Sequence, residues 1–121
     1  MVTAVTSMGR SGLYDWLMQR ASAVVLLAYF LYLGGVLVFC DVNYLSWSEL
    51  FAQTWMRIFS LLALISLGVH AWVGLWAVFT DYLTERMLGT AGNVLRLVAQ
   101  AVSAIIMFTY VVWGIQILWG L

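Results

Sequence analysis

Residues 58–79 read IFSLLALISLGVHAWVGLWAVF, an uninterrupted apolar segment that determines the architecture of the chain. The segment is long enough to cross about 30 Å of hydrocarbon, which takes roughly 20 helical residues. Two further apolar runs, at 21–40 and 97–118, meet the same length criterion. None of the three alternates as a membrane-spanning strand would, and the chain has no proline that would break a helix. The sequence therefore predicts an all-α integral membrane protein with three transmembrane helices.

The composition of the 121-residue chain agrees with a membrane protein and excludes several other classes. Hydrophobic residues make up 65% of the sequence and charged residues 8%, whereas soluble domains carry about a quarter charged residues. The formal net charge is zero, so the chain lacks the basic face that nucleic-acid binding requires. Cys40 is the only cysteine, which excludes an internal disulfide. At this length we expect a single membrane domain that spans residues 1–121.

Arginine placement predicts how the three spans are oriented. Two arginines precede the first span, one follows it, and two lie between the second and third spans; in order they are Arg10, Arg20, Arg57, Arg86 and Arg96. Cationic loops favour the cytoplasmic side of a membrane. We therefore expect a cytoplasmic N-terminal segment at 1–20, a cytoplasmic loop at 80–96 and a periplasmic C terminus. The segment before the first span has no apolar core of its own, so we predict no cleaved signal peptide.

The remaining loop, at 41–57, is periplasmic in this topology. It contains Ser46-Trp47-Ser48-Glu49, a capping-box pattern that is typical of a helix start. Aromatic residues, which are enriched at membrane–water interfaces, surround this pattern. The loop is therefore expected to contain a short interfacial helix that leads into the second span.

The only histidine of the chain, His70, lies in the middle of the second span. On a helical wheel, the residues between 63 and 81 that lie within about 40° of it are small apart from one acid; they are Ala63, Ser66, Gly74, Ala77 and Asp81. A titratable ring at the depth of the lipid tails usually marks an ion, proton or cofactor site. Imidazole is also a common ligand of haem iron. Since one histidine cannot complete a six-coordinate haem, a second chain would have to supply the other ligand.

Each of these polar residues also has a purely structural explanation. The small residues could form a helix–helix seam, with the histidine hydrogen-bonded across it. Ser66, one turn before the histidine, is a candidate to orient the ring. Asp81 could form a salt bridge with Arg20 or Arg86 at the cytoplasmic edge. Arg20 could serve only to set the topology, and Tyr82 could be a residue of the interfacial aromatic belt.

The chain resembles a known family over nearly its whole length. The motif GRSGLYDW at 9–16 continues to Arg-Ala-Ser-Ala at 20–23, and HAWVGLW at 70–76 is followed by Thr-Asp-Tyr at 80–82. These motifs are similar to those of the hydrophobic membrane anchor subunit of bacterial succinate dehydrogenase, the subunit conventionally lettered D. The second pair of motifs is the more specific, since it combines a histidine, a small residue and an Asp-Tyr pair at set spacings.

The resemblance implies a cofactor, haem b, and a substrate, ubiquinone. Members of the family pair with a second three-helix anchor, the cytochrome b556 subunit, and the two bind one haem b between them, each giving one histidine. His70 matches the axial ligand of the haem iron, and Arg20 matches an arginine near the haem propionates. Tyr82 matches a tyrosine that hydrogen-bonds ubiquinone, and Asp81 matches its acidic neighbour, which is suited to supplying protons.

The resemblance also implies where the chain works and with which partners. The two anchors dock an iron–sulfur subunit, which receives electrons from a flavoprotein subunit that oxidises succinate. The chain would then be a non-catalytic, multi-pass subunit of respiratory complex II in the bacterial inner (cytoplasmic) membrane, surrounded by lipid. The second loop and the third span, with Gly89, Gly92, Asn93 and Gln100, carry no motif that transfers from the family.

Three other functions would use the same central histidine. A homo-oligomeric proton or ion conductor would place His70 in a pore, but the face between Ser66 and Asp81 lacks the recurring polar residues of such a path. A haem-containing anchor of a fumarate reductase would use the same ligand. A homodimer could also clamp one haem between two copies of the histidine, and the identities of the co-purifying chains would distinguish it from an anchor with unlike partners.

Overall fold

The structure, a computed structural model, describes residues 12–120. Its helices are, in order, α1 (Gly12–Phe39), α2 (Tyr44–Ala52), α3 (Thr54–Tyr82), α4 (Glu85–Leu88) and α5 (Ala91–Trp119). In this part of the chain, α1, α3 and α5 are long and apolar enough to cross a membrane, which confirms the predicted fold class. Gly9, Arg10 and Ser11 of the N-terminal motif lie outside the described residues. The orientation of the termini stays a prediction.

The three long helices extend past the spans that the sequence predicts. The first helix already includes Gly12, well before the predicted start at 21, while α3 and α5 exceed 58–79 and 97–118 at both ends. Hydropathy identifies only the residues that are compatible with lipid tails, so the first predicted span begins after Arg20. The backbone still has to pair its N–H and C=O groups at this depth, so the helix continues through the more polar residues.

The central helix of the bundle is α3, against which both α1 and α5 pack. The Tyr29 hydroxyl on α1 lies 2.8 Å from Ser60 Oγ on α3, so these two residues lie at the same level of this antiparallel pair. On the other antiparallel pair, Gly114 of α5 lies against the side chain of Leu64. The most buried apolar residue, Met56, also belongs to α3. One helix thus provides most of the buried surface, while α1 and α5 expose most of their apolar side chains.

The short helix α2 begins earlier than the capping-box pattern at 46–49 suggests. Its N-cap is Asn43, whose Oδ1 accepts a hydrogen bond from Ser46 N at 2.8 Å, and Ser46 Oγ accepts one from Asn43 N at 3.0 Å. The predicted position of the box is therefore wrong by one turn. Asn and Ser are about equally good N-caps, so the residue types alone did not discriminate between the two starts.

The connection from α3 to α5 consists of the short helix α4 with a turn at each of its ends. Thr84 caps α4 by accepting a hydrogen bond from Met87 N, and Gly89 ends α4 with φ +68°, a conformation that favours glycine. Gly92, in the first turn of α5, lies so close to Thr84 that a Cβ atom would overlap its carbonyl group. This turn holds the end of α3, with Asp81 and Tyr82, against the start of α5.

Candidate functional site

The candidate site lies where α1 and α3 meet, near the middle of α3. The Nδ1 atom of His70 lies 3.3 Å from the backbone oxygen of Gln19 and 3.3 Å from Ser22 Oγ, both on α1. The Ser22 hydroxyl itself donates to the Gln19 oxygen at 2.9 Å. Ser22 is 5% exposed, while the histidine is half-buried. The three groups form a small hydrogen-bonded cluster in the contact between α1 and α3.

These contacts determine which ring nitrogen carries the proton. A backbone oxygen can only accept, and the Ser22 hydrogen is directed to Gln19, so Nδ1 of His70 must be the donor to both oxygens. In the neutral ring the other nitrogen, Nε2, then holds a free electron pair, and it has no hydrogen-bond partner within residues 12–120. A metal-binding histidine is held in this way, with one nitrogen bonded to an oxygen and the other directed at the metal.

The prediction that Ser66 orients the ring is wrong. Ser66 is buried on α3, but the hydrogen-bond partners of His70 belong to α1. The ring extends away from its own helix toward the neighbouring one, so oxygens on α1 reach Nδ1 and the hydroxyl one turn earlier on α3 does not. The orienting groups therefore come from a residue far away in the sequence.

The stripe of small residues on α3 is in part the seam between α3 and α1. Ala63 and Ser66 are buried, and a Cβ atom on Gly74 would lie 3.7 Å from the amide nitrogen of the Gln19 side chain. Ala77 is exposed, so the stripe leaves the contact before the helix ends. The seam interpretation is therefore correct for this part of the stripe. Close approach of the two helices is also what brings the oxygens of α1 to the histidine ring.

Arg20 lies close to the level of the histidine along the bundle, because it is only two residues before Ser22 on α1. Its side chain is exposed, and its guanidinium carbon lies 5.4 Å from the centre of the Trp16 ring, a cation–π distance. The predicted salt bridge with Asp81 is not formed among the described residues. The two residues are too far apart along the helix axis, because Asp81 lies roughly 16 Å further along α3 than His70, whereas Arg20 lies near the level of the ring.

Asp81 and Tyr82 form the last turn of α3, and both side chains are exposed. Tyr82 is 63% exposed, and its hydroxyl makes no hydrogen bond within residues 12–120. The alternative salt bridge of Asp81 with Arg86 is also not formed in this part of the chain. The structure thus brings Asp81 and Tyr82 together and keeps them apart from Arg20 and His70. A carboxylate and a phenol are available there for a ligand or a partner.

A chain of polar side chains lies beside this pair, in the turn between α3 and α5. The Asn93 amide nitrogen donates to Glu85 Oε1 at 2.8 Å, and Arg96 Nη2 donates to Asn93 Oδ1 at 3.2 Å. The first of these bonds joins α4 to α5, and the second lies within α5. Asn93, which carries no family motif, therefore has a structural role in fixing the turn that follows Tyr82.

Sequence reasoning missed the groups on α1 that hold His70. Ser22 lies in a motif that the sequence analysis identified, but nothing in the sequence pairs it with α3. The Gln19 contact is made by a backbone oxygen, which has no sequence signature at all. Gln100 of α5 also carries no assignment; it is 4% exposed, and neither polar atom of its amide has a hydrogen-bond partner within residues 12–120.

Comparisons with known proteins agree with the architecture. No protein-family model matches the sequence. The chain is, however, 32% identical over 111 residues to a Coxiella burnetii (strain RSA 493 / Nine Mile phase I) protein named "Succinate dehydrogenase hydrophobic membrane anchor subunit". The match covers 91% of this chain and 90% of that protein, so it extends into all three long helices. The chain therefore belongs to the family of succinate dehydrogenase hydrophobic membrane anchor subunits.

Proposed function

We propose that the chain is the non-catalytic anchor of a succinate:ubiquinone oxidoreductase and supplies one axial ligand to a haem b. The observation that carries the proposal is the pair of contacts on Nδ1 of His70, which leaves Nε2 as the ligand atom. Within residues 12–120 no three His, Cys, Asp or Glu side chains are grouped so that they could hold a metal ion. Because His70 is the single histidine of the sequence, a haem iron held by two histidines would take its second ligand from another chain, as a haem shared with a second anchor subunit does.

The groups around His70 fit a haem. Haem iron is commonly held by a histidine whose other nitrogen bonds to an oxygen, which fixes the rotation of the ring. Arg20, near the same level on α1 and with an exposed guanidinium, would hold the propionates by bidentate hydrogen bonds. Contact with the Trp16 ring limits the motion of that guanidinium. When bound between two histidines, haem b supplies one-electron transfer without an open position on the iron.

The second part of the proposal assigns Asp81 and Tyr82 to ubiquinone. The exposed Tyr82 hydroxyl would donate a hydrogen bond to a quinone carbonyl. Reduction of a quinone takes up two protons as well as two electrons, and the exposed Asp81 carboxylate next to it would relay protons from water at the membrane edge. The exposure of both groups at one helix end supports this role, since a ligand can reach them there.

The surface of the bundle is compatible with contacts to lipid and to other subunits. Large apolar side chains are exposed along α1 and α5, for example Val38 at 74% and Phe108 at 71%. In a membrane such surface meets lipid or the helices of another subunit. We assign the contacts to a second haem-binding anchor, an iron–sulfur subunit and a flavoprotein, in the respiratory complex II of a bacterial inner membrane. The catalytic chemistry then belongs to the partners, and this chain holds the cofactor and part of the quinone site.

The haem spectrum of the purified complex carrying His70→Ala tests the proposal. We expect the reduced haem b absorption to be lost or strongly altered, because the iron loses its ligand from this chain. The matched control is Ser66→Ala, a buried position on the same helix that makes no hydrogen bond with the ring; it should keep the wild-type spectrum. An assembled His70→Ala complex with an unchanged spectrum would reject the ligand role. A homodimer of this chain that keeps haem without other subunits would reject the heteromeric assignment.

A further inference from the structure

An open groove of about 610 Å³ lies at the end of the bundle that carries α2. It is bordered by α2, the first turn of α3 and the last turn of α5. Its walls include Tyr44, Trp47, Arg57, Ile117, Leu118 and Trp119. The groove is far from the residues assigned to haem and quinone, since Arg57 is several turns of α3 away from His70. None of the functions proposed above uses it.

Among the described residues that line it, the groove carries one positive charge and no acidic side chain. Arg57 Nε donates to the backbone oxygen of Phe51 at 3.1 Å, and the other N–H groups of the guanidinium make no hydrogen bond within residues 12–120. The nearest acids in the sequence, Asp41 and Glu49, line a separate groove beside α2. Arginine presents several donors in a fixed fork that matches a phosphate. A half-buried guanidinium among apolar side chains is unfavourable unless an anion neutralises it.

The walls of the groove match the two halves of a phospholipid. Tyr44, Trp47 and Trp119 are the residue types that are enriched at the level of lipid headgroups. Ile117 and Leu118 of α5 provide an aliphatic wall on the side of the membrane core. A free phosphate would use the guanidinium alone, whereas a phospholipid would occupy both the charged and the apolar part. Within residues 12–120 the groove is lined by no acidic side chain that could pair with a cationic headgroup such as choline or ethanolamine.

We propose that this groove binds one anionic phospholipid. Its phosphate would pair with the Arg57 guanidinium, and the first part of an acyl chain would lie along Ile117 and Leu118. The bound lipid would join α2 to the ends of α3 and α5. The site is independent of haem and quinone binding, so either assignment can fail while the other holds.

The test uses the intact complex in bilayers of equal phosphatidylglycerol and phosphatidylcholine, released into mild detergent for native mass spectrometry. We expect the retained lipid to be enriched in phosphatidylglycerol above its share of the bilayer. Arg57→Gln should lower this retention roughly tenfold, the loss that follows from removing charge-assisted hydrogen bonds. Arg86→Gln, which removes the same charge from the exposed helix α4 at the opposite end, should retain lipid as the wild type does.

Several results would overturn the proposal. The proposal is wrong if the wild-type complex retains the two lipids in the proportions of the bilayer. This result can be obtained even if Arg57→Gln does not assemble. An equal loss of lipid in Arg57→Gln and Arg86→Gln would show a general charge effect instead of a site. If Arg57→Gln releases a protein subunit while the lipid stays bound, the groove is a subunit contact. Displacement of the lipid by inorganic phosphate at equal concentration would assign the groove to a free anion.

Discussion

The Nδ1 atom of His70 lies 3.3 Å from Oγ of Ser22, a residue 48 positions earlier in the chain. The serine hydroxyl donates to the Gln19 backbone oxygen, and Nδ1 of the ring donates to the serine oxygen and to the Gln19 oxygen. The first helix thus selects the tautomer of a histidine on the third. In a metal site, a bond of this kind to the far nitrogen raises the basicity of the ligand and fixes its rotation.

Replacement of Ser22 by alanine should change the haem without removing it. The Gln19 oxygen remains to accept from Nδ1, so we expect Ser22→Ala to retain haem b. Loss of one hydrogen bond on the ligand ring should shift the haem midpoint potential by on the order of 20–60 mV, which corresponds to roughly 0.5–1.5 kcal/mol. An optical redox titration of the purified complex measures the shift.

Ser66→Ala provides the matched control for this experiment. Both serines are buried, and of the two only Ser22 makes a hydrogen bond with the ring. The potential of the Ser66→Ala complex should stay within the error of the wild-type value. A larger shift for Ser66→Ala than for Ser22→Ala would mean that the ring is held by its own helix.

Removal of the Tyr82 hydroxyl should slow quinone reduction selectively. In Tyr82→Phe the ring stays in place but the hydrogen bond to the quinone carbonyl is lost, and a bond of about 1.4 kcal/mol corresponds to a roughly tenfold lower rate. Succinate oxidation with an artificial acceptor should be unchanged. Tyr110→Phe is the control, since Tyr110 on α5 has nearly the same exposure, 61% against 63%. Equal losses in both acceptor assays would indicate misassembly instead of the loss of a quinone contact.

Addition of one methyl group at Gly92 should destabilise the turn that holds Asp81 and Tyr82. A Cβ atom there would overlap the Thr84 carbonyl, which is backbone and cannot rotate away. We expect Gly92→Ala to lower the apparent Tm of the complex, because overpacking destabilises a protein by about 1–3 kcal/mol. Gly34→Ala on α1 is the comparison, because its Cβ would meet no atom within 4 Å and alanine favours helix. A Gly92→Ala complex as stable as Gly34→Ala would contradict the close approach.

Replacement of the Gln100 amide by an apolar side chain should raise stability. Neither polar atom of the amide has a partner within residues 12–120, so Gln100→Leu removes a desolvation penalty of about 1–3 kcal/mol. Ser60→Ala should have the opposite effect, since it breaks the 2.8 Å bond with the Tyr29 hydroxyl. Apparent Tm values of the two variant complexes measure both effects. Equal destabilisation by both changes would show that a group outside residues 12–120 binds the Gln100 amide.

Helix number and helix ends differed in how well they could be predicted. Continuous apolar runs predicted three spans, and the structure has three helices that fit them. The ends could not be predicted from hydropathy, because a helix continues wherever its backbone needs internal hydrogen bonds. The Arg20 boundary illustrates this: the helix includes it and continues toward Gly12. At Asn43 the error had another cause, since two good capping residues lie one turn apart.

The composition and periodicity of the chain by themselves determined its class, its three spans and the face on which His70 lies, because lipid selects apolar residues and a helix repeats at a constant angle. Which neighbour meets that face was decided only by the tertiary structure. The seam of small residues accepts any close-packing helix, and the docking of α1 alone brings the Gln19 carbonyl and the Ser22 hydroxyl to Nδ1. A hydrogen bond across such a distance in the chain depends on the register of two helices, and register follows from packing.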